Sequence, residues 1–361
     1  MGNGVPLDQL SCPAPLADHP QILLGHGSGG RLSRELLERV ILPACGHSGG
    51  PLEDQALLDI ASAIPGCGTP SAPQLAFTTD SFVVRPLFFP GGDIGKLAVH
   101  GTINDLAVGG ARPLFLSTAL ILEEGLAIAD LQRVMVSMRQ ACDTAGIALV
   151  TGDTKVVDRG CGDQLYISTS GIGLCAVGAH LSIGSAQPDD LILVSGTIGD
   201  HGIAIMSVRE GIEFETQVES DTAPLHDLTR TMLHACPTIR CMRDPTRGGL
   251  SATLNELAEA SDVGVQLDEA AIPVTSEVHS ACELLGLDVL HVANEGKLVA
   301  VVPESNAEQL LAVMREHPLG RRAAIIGRVV ADHRRTVVMR TTIGGQSVVP
   351  MLSGEQLPRI C

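Results

Sequence analysis

Residues 127–155, AIADLQRVMVSMRQACDTAGIALVTGDTK, carry two elements in immediate succession, and the fold class is read from them. Apolar residues recur at helical spacing over Ala127–Ala145, which predicts an amphipathic helix. Ile147–Thr151 is then a short apolar run of strand length, read as a buried strand that opens onto Gly152-Asp153-Thr154-Lys155. Upstream, Gln74–Thr79 reads as a strand, Asp93–Val108 as a helix and Leu114–Leu122 as an apolar strand. Downstream, a strand over Gln164–Val177 closes this half.

Beyond a boundary near Ser185–Pro188 the same style returns. Strands are expected at Leu191–Ser195, Val263–Leu267, Leu298–Val302, Ala323–Val330 and Thr336–Thr341. Helices are expected at Gly202–Glu210, Pro224–Ala235, Gly249–Ala260, Ser276–Leu285 and Ala307–His317. Both halves mix strands with helices, so the class is α/β (α+β). The organisation expected is a loose arm at 1–20, one domain at 21–185, a second at 186–343, and a mobile tail at 344–361.

With no Trp, one Tyr and six Phe, the core must be aliphatic. The formal charge of −17 repels phosphate backbones over the general surface and argues against a nucleic-acid partner. Any bound polyphosphate then needs local cations or metal. The cysteines show no C-x-x-C pair and read as reduced thiols. No signal peptide and no apolar run of membrane-spanning length is present, so a cytoplasmic protein without membrane contact is expected.

Gly25-His26-Gly27-Ser28-Gly29-Gly30, ahead of a helix-like run at Arg31–Leu42, fits G-x-G-x-x-G on paper. The dinucleotide reading requires a buried strand after the helix, and the chain continues instead into a Gly-, Ser- and Pro-rich stretch. A glycine loop closing over phosphates and a plain turn both remain open. Gly91–Lys96 resembles a P-loop but has one residue too few between its glycines and lacks the Ser or Thr after lysine.

Asp80, Asp105, Asp153 and Asp244 each stand where an element is expected to meet a glycine-bearing turn. Each alone suits an N-cap; together they suit a cleft for Mg²⁺. Only three lysines occur. Lys155 is placed to neutralise a transferred phosphoryl group, with a surface lysine as the alternative. In Asn294-Glu295-Gly296-Lys297, Glu295 reads as a base and Lys297 as a second phosphate ligand, or both as turn residues.

The chain ends Leu357-Pro358-Arg359-Ile360-Cys361, which places a nucleophilic thiol on a terminus stiffened by proline. The 17 residues after Gly344 could span about 55 Å.

These motifs, with Glu53-Asp54-Gln55, Asn104-Asp105 and Asp244-Pro245-Thr246-Arg247-Gly248-Gly249, resemble the HypE family of hydrogenase maturation proteins from about residue 22 to the end. The aspartate motifs belong to the wider superfamily of aminoimidazole ribonucleotide synthetase, selenophosphate synthetase and thiamine monophosphate kinase. The resemblance implies two PurM-like α/β domains, the first pairing into a barrel across a homodimer. It implies ATP-dependent dehydration of a carbamoyl group on the terminal thiol to a thiocyanate. The carbamoyltransferase HypF would load the cysteine, and a HypC–HypD complex would receive the cyanide ligand. The site it implies has Cys361, Glu295 and Lys155 in catalysis. Gly27, Gly29, Gly30, Asn104, Thr154, Lys155 and Arg247 would hold ATP, and Asp80, Asp105, Asp153 and Asp244 would hold Mg²⁺. A small-molecule kinase or synthetase would leave Cys361 idle, and a thiol-presenting scaffold would leave the aspartates idle.

Overall fold

The computed structural model describes residues 21–45, 51–58, 74–175, 181–211, 218–352, 357 and 359–361. The expected loose arm at 1–20 and the stiffening Pro358 lie outside these.

In the first half, helix α1 (Arg31–Leu36) precedes strand β1 (Ala56–Leu58) and strand β2 (Gln74–Phe82). Helix α2 (Ile94–Val108), strand β3 (Ala111–Glu123), helix α3 (Ile128–Ala145), strand β4 (Ala148–Val157) and strand β5 (Leu165–Cys175) follow. The five strands form one sheet in the order β1-β2-β5-β3-β4, parallel only between β3 and β4. Asp93 starts α2 by accepting the N–H groups of Gly95 and Lys96. Lys96 turns back onto the carbonyl of Gly91 at 2.8 Å, so the P-loop lookalike spends its lysine on its own turn. Helix α2 is apolar nearly all round, as a helix must be when it is covered on every side. It packs under β2, β3 and β5, and full burial of Ile94, Leu97, Ile103 and Leu106 contributes roughly 1.5–3 kcal/mol each.

The second half adds strand β6 (Leu191–Val194), helix α4 (Asp200–Glu210), helix α5 (His226–Ala235), strand β7 (Cys241–Arg243), helix α6 (Gly249–Ala260) and strand β8 (Gly264–Asp268). It continues with helix α7 (Ser276–Leu285), strand β9 (Val299–Val302), helix α8 (Glu304–Glu316) and strands β10 (Ala324–Val330), β11 (Val337–Arg340) and β12 (Gln346–Val348). Its sheet runs β12-β11-β8-β10-β6-β9-β7. Strand β12 pairs with β11, so the sheet takes in residues the sequence had placed in the tail.

The two halves share a core. Ile94, Leu97, Met138 and Ile167 cluster with Ile203, Ile205 and Val292, and with Leu357 and Ile360 of the C-terminal arm.

Strand β4 departs from expectation. It was read as buried, yet it is the sheet's edge strand and is exposed along most of its length. It also continues through Asp153 and Lys155, and β2 likewise continues through Asp80, because ladder pairing with β3 and β5 holds those residues extended. The sheet's outer face, opposite α2, carries the row Phe77, Ile172 and Phe115 and the row Tyr166, Ile121 and Lys155. Phe77, Phe115 and Ile121 are exposed there.

Candidate active site

Three carboxylates converge between the two sheets. Asp105 lies in the last turn of α2, Asp244 directly follows β7, and Asp54 stands just ahead of β1. Each offers an oxygen within 4.8 Å of the others. Asp105 accepts the Thr78 hydroxyl at 2.8 Å, and Asp54 pairs with Arg243 at 2.9 Å. Burial pushes all three carboxyls up from the ordinary range. Asp244 is raised to about 6, with Arg243 opposing the shift. For Asp105 the neighbouring Asp244, Asp54 and Asp80 add to burial. A cluster of hard oxygen donors that raise one another's proton affinity fits a divalent cation such as Mg²⁺. Asp80 borders the same cavity of about 260 Å³, with its carboxyl raised by burial and pulled back by Arg247.

Arg247 also lines a second cavity of about 330 Å³, bounded by Gly27, Ser28, Ser81, Val83, Ile360 and Cys361. Its guanidinium donates to the carbonyl of Gly27 at 3.1 Å. Gly29 sits at φ +74°, where a Cβ would come within 2.7 Å of the Arg247 carbonyl, so the glycine loop reaches this close only without side chains. A Cβ on Gly30 would lie 2.4 Å from the carbonyl of Leu352. The glycine loop thus forms a wall of the site.

The C-terminal arm borders the same cavity and is docked along Val83–Arg85. Ile360 bridges Val84 in antiparallel fashion, and the N–H groups of Val83 and Arg85 donate to the carbonyls of Cys361 and Arg359 at 3.0 and 3.1 Å. The thiol thereby lines the cavity with Arg247 and feels the charge of the nearby Glu295 carboxyl. Burial first, and Glu295 next, push the thiol well above its usual range against the pull of Arg247. Docked, Cys361 is therefore a thiol and not a thiolate nucleophile.

Glu295 is buried, with Oε1 unpartnered among the described residues. Burial, then Asp244, Asp80 and Asp221, raise its carboxyl well above the ordinary range, against Arg247. Within the protomer its surroundings thus favour the protonated carboxyl. Its backbone N–H donates to Asp221 Oδ1 at 3.0 Å, while Asp221 Oδ2 holds Lys297 at 3.0 Å. Lys297 is thus committed to positioning the Glu295 loop and is not a second phosphate ligand.

Two further readings need correction. The Asn104 amide donates to the carbonyls of Ala223 and Glu295 and accepts the N–H of Leu225. It ties α2 to the second half, which leaves only one Oδ1 lone pair to meet ATP. Asp153 does not join the aspartate set within one protomer. It pairs across β3 with Ala119, which pairs with Ser168 and then Ser81, so it stands three strands, roughly 14 Å, from β2. It also points to the outer face, whereas Asp80 points towards α2. Lys155 accompanies it at 3.5 Å, both side chains well exposed. Thr154 belongs to the same distant strand.

The sequence reading missed Asp54, His201 and Asp221. Asp54 had a signal, an acidic pair ahead of glutamine in a motif already singled out, but its partner Arg243 is remote in sequence. His201 stood in the motif Ser195–Gly202 of the family resemblance without an assigned role, and Asp221 gave no signal.

Two α/β halves, joined at a carboxylate cluster beside a glycine loop, define an AIR synthase related protein. The models of the N-terminal and C-terminal domains of that family match residues 53–175 and 187–340. The chain is 55% identical over 337 residues to the carbamoyl dehydratase HypE of Azotobacter vinelandii, covering 93% of this chain and 96% of that one. It resembles a solved HypE in complex with ATP, with TM-score 0.78 and 45% identity, over 94% of this chain and 100% of that one. It resembles HypE in a HypE–HypF complex with TM-score 0.80 and 45% identity, over 88% and 99%. The chain belongs to the HypE carbamoyl dehydratase family.

Proposed function

We propose that this protein uses ATP to dehydrate a carbamoyl group carried on its own Cys361 to a thiocyanate, the source of a cyanide ligand for hydrogenase iron. The observation that carries this reading is the docked arm. Cys361 lies beside Glu295 and Arg247, and Arg247 also lines the cavity of the carboxylate cluster.

The thiocarbamate oxygen is a poor leaving group until it is phosphorylated. Transfer of the γ-phosphoryl group onto it, followed by cleavage of the C–O bond, gives S–C≡N, ADP and phosphate, with both nitrogen protons lost. Asp54, Asp105 and Asp244, with Asp80 beside them, would hold Mg²⁺, which would supply charge neutralisation for the transferred phosphoryl group. Arg247 steadies the oxygen that gains charge. Glu295 takes a nitrogen proton, which requires that it first become a carboxylate. Gly27, Gly29 and Gly30 offer backbone close to the phosphates.

The homodimer supplies the remaining groups. The exposed outer face, with Phe77, Phe115 and Ile121, is the surface buried when two first domains close into a barrel. Asp153 and Lys155 lie on this face, so they serve the partner's site rather than their own. A carbamoyltransferase of the HypF kind loads the arm, and an iron-carrying HypC–HypD complex receives the cyanide ligand. The reaction is assigned to the cytoplasm; among the described residues no helix is long and apolar enough to cross a membrane. The division between the domains is assigned near 185–188, and the matched family models leave 176–186 between them.

The test is the mass of the intact chain and of its C-terminal peptide after incubation with the loading partner, with and without Mg-ATP. A carbamoyl adduct on Cys361 that loses one water only with ATP is expected, and Cys361→Ala should give none. ATP consumption with Cys361 left unmodified would transfer the activity to a free metabolite.

A further inference from the structure

His201 is fully buried in the first turn of α4, yet both ring nitrogens are engaged. Nδ1 lies 2.7 Å from Ser220 Oγ, and Nε2 lies 2.6 Å from the carbonyl oxygen of Ile360. A carbonyl can only accept, so Nε2 carries the proton and Nδ1 accepts from the Ser220 hydroxyl. Ser220 is itself constrained. Its Oγ accepts the N–H of Thr222 at 3.2 Å, and its own N–H donates to the carbonyl of Pro90 at 2.8 Å. Phe89 meets the imidazole edge to face at 5.6 Å and limits its rotation. The donor is thus aimed by groups outside the arm.

We propose that His201 is the positioning residue that holds the C-terminal arm in its docked place, by donating Nε2–H to the Ile360 carbonyl in a tautomer set by Ser220. This rests on the reading of Cys361 as the carrier of the reacting group. Burial keeps the imidazole neutral, as the assigned tautomer requires. Two turns further along α4, Arg209 donates to the carbonyls of Arg359 and Arg85 at 2.8 and 2.7 Å. A Cβ on Gly202 would lie 3.2 Å from the Leu357 side chain, so the helix also leaves room for that anchor.

These hydrogen bonds all fall on backbone atoms. They are therefore indifferent to whether Sγ carries hydrogen, a carbamoyl group or a cyano group. A clamp of this kind sets how long the arm stays docked and leaves the chemistry to Glu295 and Arg247. An arm that must be loaded elsewhere, reacted here and emptied elsewhere needs one holding device that works on all three forms.

The experiment is the rate at which iodoacetamide alkylates Cys361 in the full chain, read on the C-terminal peptide by mass spectrometry with ATP and partner proteins absent. His201→Ala should alkylate about tenfold faster than the unaltered chain, the size of one lost hydrogen bond. His201→Gln, whose amide can still donate to the carbonyl, should stay within about twofold. An unchanged rate in a folded His201→Ala, or His201→Gln as fast as His201→Ala, overturns the proposal. Where His201→Ala fails to fold, Ser220→Ala decides. It keeps the imidazole but removes the group that sets its tautomer, so faster alkylation supports the clamp and an unchanged rate refutes it. The readout involves neither carbamoyl group nor ATP. Absence of ATP-dependent water loss in the unaltered chain would sink the dehydratase and leave the clamp standing, and the reverse also holds.

Discussion

A buried carboxylate cluster and an exposed aspartate–lysine pair lie on opposite faces of the first sheet, and their environments shift the carboxyls in opposite directions. On the inner side, Asp54, Asp105 and Asp244 are crowded together with their carboxyls raised by burial, and Asp105 is raised further by its acidic neighbours. On the outer side, Asp153 lies open to solvent, its carboxyl lowered by the N–H of Thr154 and by Lys155. A buried cluster of like charge is incomplete until a cation arrives, whereas an exposed ion pair is already satisfied and contributes little by itself. The first is a prepared site; the second has meaning only against another surface.

The largest expected effect breaks the inner set. Asp244→Asn should lower ATP-dependent dehydration by about a thousandfold, since metal-borne charge neutralisation is worth several kcal/mol. With chelator present the same variant should melt no lower than the unaltered chain, because it removes a repelled charge. A melting point well below it would show that the cluster stabilises the fold by itself. Next, Glu295→Gln should slow dehydration by about a hundredfold or more while the fold holds, because an amide replaces a carboxyl already held neutral in the protomer. Turnover near the unaltered rate would remove Glu295 as the base.

The outer set is sharpened by mixing. If Lys155 completes the partner's site, Lys155→Ala and Asp244→Asn chains, each inactive alone, form mixed dimers with one intact site. Equal mixing should then restore about a quarter of full activity. No recovery would place Lys155 in its own protomer's chemistry or outside the site.

The smallest effect is on stability. The buried Asp244, with a folded value of about 6, keeps a proton that the unfolded chain has already released. Between roughly pH 4 and 6 the native state therefore binds more protons, so metal-free stability falls as pH rises through that window and stays low above it. With chelator, the melting point should drop by several degrees from pH 4.5 to 7, and Mg²⁺ should restore it at pH 7 but barely change it at pH 4.5. A pH-independent, metal-indifferent melting point would deny the cluster its cation.

Much of the fold was legible because helix and strand periods are local. Asp93–Val108 and Ala127–Ala145 declared themselves by apolar spacing, and both helices form within a residue of their expected starts. Local pattern misjudged β4, because an apolar run looks alike whether a second layer of the same chain covers it or an edge is left bare. Asp80 and Asp105 were legible as acidic residues near glycine-bearing stretches. Asp153 carried the same sign, yet within one protomer it stands apart from them, since which face a strand residue takes depends on parity counted across three neighbouring strands.

The sequence alone determined the two mixed α/β halves, an aliphatic core, an acidic set suited to metal and a terminal cysteine, because composition and short-range periodicity specify these residue by residue. Only the tertiary structure decided that Asp54 joins the cluster, that Asn104 and Lys297 bind other parts of the protein, that burial among acidic neighbours raises the Glu295 carboxyl, and that His201 reaches an arm 159 residues further along the chain. These depend on which side chains long-range packing brings within a few ångströms. Hydrogen bonds and pKa values follow that distance, and sequence spacing does not record it.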